Sequence, residues 1–370
     1  MTTRTYNYTL DEGNWSASLT GLQNIITANG YLWDSNTGPR LINLSQSGSK
    51  WWLNTMLLSG DGKVWIYDDG TTSDYYGTIN YLQMGWGSGT NTVTLVNSNI
   101  QNYFGSGGSD ILNFGSTGWT NYINTSGGDD FVTLGAGGAS TVDLGGGQNI
   151  ITTGSGGVGQ IISSGRTFVN LGSGDVATIQ LNSQSNQNIT TAEGWVGTIT
   201  TGKGNDVLIV GSGENDEGWA VDNINLGNGN NILTVATGTV GAVTMYSGND
   251  VVTLGDGSVS KSAGVSWGGW TADSVDVGSG DNTITTGDGG VGQLTAGGGN
   301  DTVTTGSGSN SNGWAVNGIN LGGGEEQHHD GRRRYFVHHH LWRRRHRGHG
   351  LRRCQSVGHR CRQRQPWQRQ

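Results

Sequence analysis

The chain has 370 residues, 69 of them glycine and only two proline, with a formal net charge of −8. Glycine at this density without a G-X-Y period excludes collagen, and it disfavours helix, because an interior helical glycine costs up to about 1 kcal/mol relative to alanine. No apolar run is long enough for a membrane-spanning helix, and Met1 to Trp15 lack the basic start and apolar stretch of a secretory signal peptide.

Residues 1–85 are rich in aromatics (Trp15, Trp33, Trp51, Trp52, Trp65, Tyr75, Tyr76, Tyr81) and carry no phased repeat. A repeat array needs a segment over its first unit, so this stretch is expected to be a β-rich N-terminal cap. Its rings are expected to serve packing; the alternative is a carbohydrate-binding module with Trp51, Trp52 and Trp65 as sugar platforms.

Residues 86–324 are a repeat array. Asp110, Asp130, Asp206, Asp250 and Asp301 act as anchors, with Asn91, Asn149, Asn188, Asn231 and Asn282 in the same role and Phe168 in the slot between Asn149 and Asn188. Most anchors stand 19 or 20 residues apart; the gaps of 25 (Asp206 to Asn231) and 32 (Asp250 to Asn282) mark loop insertions within a unit. Glycine stands two residues before the anchor in ten of twelve units, and an apolar residue such as Val93, Leu112, Val132 or Leu208 stands two after it. Another apolar residue, such as Ile123, Val142 or Ile161, stands seven before the next anchor. Each unit therefore contains two short strands and two glycine-rich turns. A unit this short cannot bury its apolar face alone, whereas stacked units can. The expected fold is all-β, a parallel β-roll or β-solenoid of about eleven rungs of about 19 residues, making a rod roughly 50 Å long.

Residues 325–370 differ abruptly. They hold 13 Arg, all eight histidines and both cysteines (Cys354, Cys361), a net of +10, against a net of −18 for residues 1–324. His codons begin with CA and many Arg codons with CG, and reading from the next base converts His338 to Arg345 into a Thr/Gly-rich, repeat-like stretch. This tail is expected to be a frameshifted translation and disordered, its charge density being too high for a core. The alternative is a His/Cys metal site or a basic nucleic-acid arm. The acidic body should repel nucleic acid and attract cations, so no nucleic-acid partner is expected for it.

Two segments carry a family resemblance. Gly202-Lys203-Gly204-Asn205-Asp206-Val207-Leu208 and Gly297-Gly298-Gly299-Asn300-Asp301-Thr302-Val303 are similar to the nonapeptide G-G-x-G-x-D-x-U-x of RTX, or hemolysin-type, calcium-binding repeats. The resemblance covers 86–324, and no unit matches every position of the motif. It implies calcium ions between successive turns of a parallel β-roll, and export by type I, signal-peptide-independent secretion. The ligand slots it implies are Asp110, Asp130, Asp206, Asp250 and Asp301, with Asn91, Asn149, Asn231 and Asn282 in the neutral rungs. Alternation of Asp and Asn from Asp206 to Asp301 should weaken binding, because calcium takes six to eight oxygens and prefers charged carboxylates. Arg166 and Phe168 are expected to interrupt the column, and the opposite turns mostly lack an acid, so at most one edge is expected to hold metal. Asp129, Asp281, Glu214, Asp216 and Glu217 are acidic neighbours that favour a cation. The competing reading is a metal-free Asn/Asp ladder that stabilises the turns through local hydrogen bonds.

Catalysis is the weaker expectation. Residues 1–324 lack histidine and cysteine, which rules out Ser-His-Asp triads, Cys-His pairs and H-E-x-x-H zinc motifs there. Acid pairs such as Asp68 with Asp69 or Asp273 with Asp276 are the candidates for glycosidase-type chemistry, and a polysaccharide lyase or epimerase is the enzymatic alternative. Strand alternation also predicts an uncharged outer face. Its first column contains Thr92, Ile111, Phe131, Ile150, Ile189, Val207, Ile232, Val251, Thr283 and Thr302, and its second is mostly threonine, including Thr94, Thr133, Thr152, Thr191, Thr234, Thr253, Thr285 and Thr304. A protein, glycan or ordered surface such as ice is the expected partner of that strip. The sequence is thus read as an extracellular or cell-surface bacterial calcium-binding β-roll of structural or adhesive type.

Overall fold

A computed structural model describes backbone and side chains for residues 81–84, 90–95, 100–115, 118–216, 218–257, 269–307, 315–325 and 327–329. It describes backbone alone for the remaining strand segments within 4–10, 31–34, 40–46, 52–58, 62–68, 77–80, 96–99, 258–268 and 330. The described residues form strands and turns and hold no helix.

The fold is a parallel β-solenoid of about eleven turns of about 19 residues. Successive strands alternate between two parallel sheets, so each sheet pairs every second strand of the chain. The first sheet runs through Asn91–Val96, Asp110–Phe114, Phe131–Leu134 and Gln148–Thr152 and onward to Thr302–Thr305. The second runs through Ser98–Phe104, Thr120–Asn124, Ala139–Asp143 and Val158–Ser163 and onward to Val316–Asn320.

Period-two alternation builds the core. Val93, Leu112, Val132, Ile151, Val169, Ile189, Leu208, Leu233, Val252, Ile284 and Val303 point inward from the first sheet, each at 1% exposure or less. Ile123, Val142, Ile161, Ile179, Ile199, Ile224, Val243, Val275, Leu294 and Ile319 face them from the second. Complete burial of such a side chain contributes about 1.5–3 kcal/mol, and stacking ensures that every rung shares it with two neighbours.

The segment read as an N-terminal cap covers the first regular rung by continuing both sheets. Arg4–Leu10, Arg40–Gln46 and Gly62–Asp68 extend the first sheet in parallel to Asn91–Val96, and Tyr31–Asp34, Trp52–Leu58 and Gly77–Met84 extend the second. The side chains of Trp51, Trp52 and Trp65 lie outside the described residues. At the other end, Gln327–Asp330 pairs with Thr302–Thr305, so the first residues of the segment read as a frameshifted tail still belong to the solenoid. Residues 331–370 lie outside the described residues.

One stretch departs from the expected phase. Asn149 pairs with Thr167, and Phe168 pairs with Asn188, so the anchor slots there belong to Thr167 and Gln187, one residue before Phe168 and Asn188. The turn after Ile161 is one residue shorter than the norm and the turn after Ile179 one longer, and the two changes cancel. Ile189 and Thr191, read as outward, are therefore buried, while Phe168, Asn188, Asn170 and Thr190 occupy the outer columns.

The three insertions within the repeat array fall after a first-sheet strand. They comprise 211–220, 306–315 and the antiparallel hairpin of Ser258–Ser262 with Val265–Asp276. The turn that carries the anchors has none.

Candidate functional site

The anchor turn is built on glycine. Gly229, two residues before Asn231, adopts φ +125°, and a Cβ there would lie 1.9 Å from the Gly204 carbonyl of the preceding rung. Only glycine allows both the left-handed backbone and that approach. Two residues earlier, the Asn225 side chain accepts the Gly227 N–H at 3.0 Å, closing an Asx turn, and Asp276 does the same for Gly278.

The nine ligand slots proposed from the sequence, all the Asp and Asn anchors but Asn188, are brought into one inward-facing column. Asn91, Asp110, Asp130, Asn149, Asp206, Asn231, Asp250, Asn282 and Asp301 are each exposed by 1% or less. The column is hydrogen-bonded from rung to rung. Asn91 reaches Asp110 Oδ1 through its side-chain amide at 2.7 Å, and from Asp110 onward the backbone N–H of an anchor donates to the side-chain oxygen of the next: Asp110 to Asp130 at 2.8 Å, Asp130 to Asn149 at 3.1 Å, Asp206 to Asn231 at 3.0 Å. The series continues from Asn231 to Asp250 at 2.7 Å, Asp250 to Asn282 at 3.0 Å and Asn282 to Asp301 at 3.0 Å. Gln187 bridges the irregular stretch, accepting from Thr167 and donating its N–H to Asp206, both at 2.7 Å. Arg166 and Phe168 do not enter the column; both point outward, with the guanidinium 4.8 Å from the ring centroid.

A second ladder runs one residue earlier, in solvent and in the opposite sense. There the N–H of each rung donates to the side chain of the preceding one: Asn230 to Asn205, Asn249 to Asn230, Asp281 to Asn249 and Asn300 to Asp281, at 2.7–2.9 Å. Asp129 likewise accepts from Gln148 at 2.8 Å. Asp129 and Asp281, read as acidic neighbours of a cation, are thus rungs of this outer ladder. Glu214 and Asp216 lie at the other end of the strand, in the 211–220 loop, and are exposed.

Acid and amide rungs differ at one atom. In the amide rungs the side-chain NH2 finds an acceptor in the turn: Asn231 donates to the Gly229 carbonyl and Asn282 to the Gly280 carbonyl, each at 3.0 Å, and Asn149 to the Leu144 carbonyl at 3.1 Å. In the acid rungs the second carboxylate oxygen has no hydrogen to offer. Oδ2 of Asp110, Asp130, Asp206 and Asp250 is buried and makes no hydrogen bond. The hydroxyls of Tyr103, Thr125 and Thr201 face Asp110, Asp130 and Asp206 without the geometry of a hydrogen bond, and their dipoles offset part of the burial.

Burial dominates the electrostatics. It pushes the Asp110 carboxyl up to about 7, with the Asn91 amide opposing and the Asp130 charge adding, and Asp130 up to about 6. Asp206, Asp250 and Asp301 are raised for the same reason, with Asn231 and Asn282 holding Asp250 and Asp301 down. A buried carboxylate with a free oxygen beside turn carbonyls resolves its cost by binding a proton or a cation.

The donor chemistry fits a hard divalent cation, since carboxylate and carbonyl oxygens are what calcium takes. Asp110, Asp130, Asp206 and Asp250 each supply one carboxylate oxygen that makes no hydrogen bond, and among the described residues no three His, Cys, Asp or Glu side chains converge. The site is therefore rich in carbonyls and poor in charge. Of the acid pairs considered for catalysis, Asp273 and Asp276 are exposed on the outer face of the second sheet, and the side chains of Asp68 and Asp69 lie outside the described residues.

Comparison with known proteins finds no match to any family model, curated protein or solved structure. The likeness to RTX repeats rests on the motif alone.

Proposed function

We propose that this chain is a non-catalytic, secreted or surface-associated solenoid of RTX type, in which calcium neutralises the buried aspartates of the anchor turn. The observation that carries this reading is the set of buried Oδ2 atoms on Asp110, Asp130, Asp206 and Asp250, which make no hydrogen bond. The same slots in the Asn rungs show that turn carbonyls face this position. Calcium would be held by these carboxylates and carbonyls and would neutralise the buried negative charge. The chain's own residues do the rest: the glycines let the turns approach, and the two hydrogen-bond ladders fix the side-chain oxygens. One carboxylate per rung places affinity in the range of extracellular modules, about 10⁻⁴–10⁻³ M.

Thermal melts followed by circular dichroism, with chelator and with calcium or magnesium, test the proposal. Calcium should raise the melting temperature more than magnesium, which demands near-octahedral geometry and dehydrates reluctantly. Replacing Asp110, Asp130, Asp206, Asp250 and Asp301 together by Asn should remove most of the calcium response. Identical curves with chelator and with about 10 mM calcium, a concentration chosen from that affinity range, would exclude a calcium-dependent role.

A further inference from the structure

The outer face of the first sheet is the largest feature that the calcium reading leaves unused. From Asn91–Val96 to Thr302–Thr305 eleven strands pair in parallel with no register shift. In the two columns that follow the anchor, one and three residues after it, none of the twenty-two side chains is charged; Arg166, one residue before the Thr167 slot, lies over the Phe168 ring at 4.8 Å. Ile111, Phe131, Ile209, Ile232 and Val251 stand 39–44% exposed on this face. Charge collects at its rims instead: Asp129, Arg166 and Asp281 border one side, and Asp256 and Asp288 the other, all exposed and four of the five acidic.

We infer that this face is a self-association surface, on which a second copy of the chain packs about a two-fold axis. Three observations select that occupant. The side-chain columns repeat at the strand spacing of about 4.8 Å, so the ridges of one copy fit the grooves of another, and a second copy offers the same period along the whole face. The footprint of eleven strands and two residues per strand is on the order of 600 Å² per copy, about 1,200 Å² for the pair, which reaches the lower bound of stable interfaces. The body outside the face is strongly acidic, so two copies repel in other orientations and meet best where charge is absent. Threonine and β-branched residues also suit a pleated surface by themselves, but that preference does not require the absence of lysine and glutamate from every rung.

The acidic rims give the association a distinctive salt dependence. Two rims brought together repel, and salt screens that repulsion, the Debye length falling from about 10 Å at 0.1 M to about 3 Å at 1 M. Association through this face should therefore strengthen with ionic strength. Contact between the basic tail and the acidic body would weaken.

Sedimentation velocity on the full chain, across protein concentration and at low and high sodium chloride, is the experiment. The expected result is a monomer–dimer equilibrium whose Kd falls at least tenfold as salt rises, in calcium and in chelator alike. The triple variant Ile209→Lys, Ile232→Lys, Val251→Lys should be monomeric with an unchanged circular dichroism spectrum and melting temperature. Thr198→Lys, on the outer face of the second sheet, should dimerise like the parent. A parent chain that stays monomeric at high salt, a dimer that weakens with salt, or a folded triple variant that still dimerises would each overturn the inference. Persistence of the dimer in chelator keeps this test separate from the calcium reading.

Discussion

The two ends of the anchor column bury the same group in different company. Near its start, Asp110 and Asp130 occupy adjacent rungs; burial and the Asp130 charge push Asp110 up to about 7 against the Asn91 amide, and burial and the Asp129 charge push Asp130 up to about 6. Further on, Asp206, Asn231, Asp250, Asn282 and Asp301 alternate, and the amide of Asn282 donates to Asp301 Oδ1 at 2.8 Å while its backbone N–H reaches the same oxygen at 3.0 Å. Exposure is 1% or less at both ends, but the packing around the carboxyl is deepest at Asp110 and shallowest at Asp301, and burial is the largest cause of every raised carboxyl. The neighbour differs as well. An amide one rung away supplies a hydrogen bond where an acid supplies repulsion, so the neighbouring residue type adjusts a cost that burial sets first.

The largest test of this contrast is metal. Each calcium site at roughly thirtyfold excess over its Kd contributes about 2 kcal/mol by mass action, and sites along one rod add. Chelation should lower the melting temperature of the whole solenoid, and the adjacent pair Asp110 and Asp130 should gain most from a cation because it carries the most repulsion. Calorimetric titrations of Asp130→Asn and Asp250→Asn compare the two ends directly. Equal loss of binding heat from both would remove the distinction.

Next comes pH. The folded chain holds the protons of Asp110 and Asp130 more tightly than the unfolded chain, whose carboxyls titrate near 3.9. Ionisation therefore costs nothing below that value, grows as pH rises, and is complete above about 6 for Asp130 and about 7 for Asp110. For Asp110 the full cost is on the order of 4 kcal/mol. In chelator the protein should melt higher at pH 5 than at pH 8, and calcium should erase or reverse the difference by displacing those protons. A metal-free melting temperature that climbs from pH 5 to pH 8 would contradict the raised carboxyls.

A smaller effect separates the rungs one at a time. An Asn side chain offers an NH2 where Asp offers only a lone pair, and the Asn rungs show where that NH2 goes. Without calcium at pH 8, Asp110→Asn should stabilise by about 3 kcal/mol, having lost both burial cost and repulsion, and Asp250→Asn by about 1 kcal/mol. Denaturant midpoints measure both. Destabilisation by either would mean that the free carboxylate oxygen holds a partner in solution.

Much of this was legible in the sequence, for reasons that vary by residue. Glycine two before the anchor and an apolar residue two after it fixed the phase, because the left-handed turn and the buried strand each tolerate few side chains. Constant spacing could not reveal the slip at Thr167 and Gln187, where a shortened turn and a lengthened one cancel. The local signal was Gly165, which stands two residues before Thr167 as the other turn glycines do before their anchors. Alternation also implied that an anchor two residues from a core side chain faces inward, which makes the column buried. The outer ladder of Asn205, Asn230, Asn249, Asp281 and Asn300 was visible as a column of short polar side chains, yet only the stacked backbone shows which N–H each one accepts. Charge on Asp129 and Asp281 pointed to a cation; their hydrogen bonds to the next rung show a structural use of the same atoms.

The smallest expected effect provides the zero for the others. Thr234, Thr253 and Thr285 stand three residues after Asn231, Asp250 and Asn282, so they share rungs with the buried column but point away from it. Thr253 and Thr285 are exposed and Thr234 half-buried, each beside a fully buried core residue, Leu233, Val252 or Ile284. A lysine at such a position keeps its ammonium in water and its stem along the neighbouring rungs. Thr234→Lys, Thr253→Lys and Thr285→Lys should each change monomer stability by no more than about 0.5 kcal/mol, the range of ordinary surface substitutions. The triple variant should carry three charges at the strand spacing and lose slightly more through mutual repulsion, a deficit that salt restores. Chemical denaturation at low and high salt, at concentrations where the chain is monomeric, measures it. A loss of several kcal/mol that salt does not restore would mean that these side chains are buried, and the assignment of inner acid column and outer threonine column would have to be exchanged.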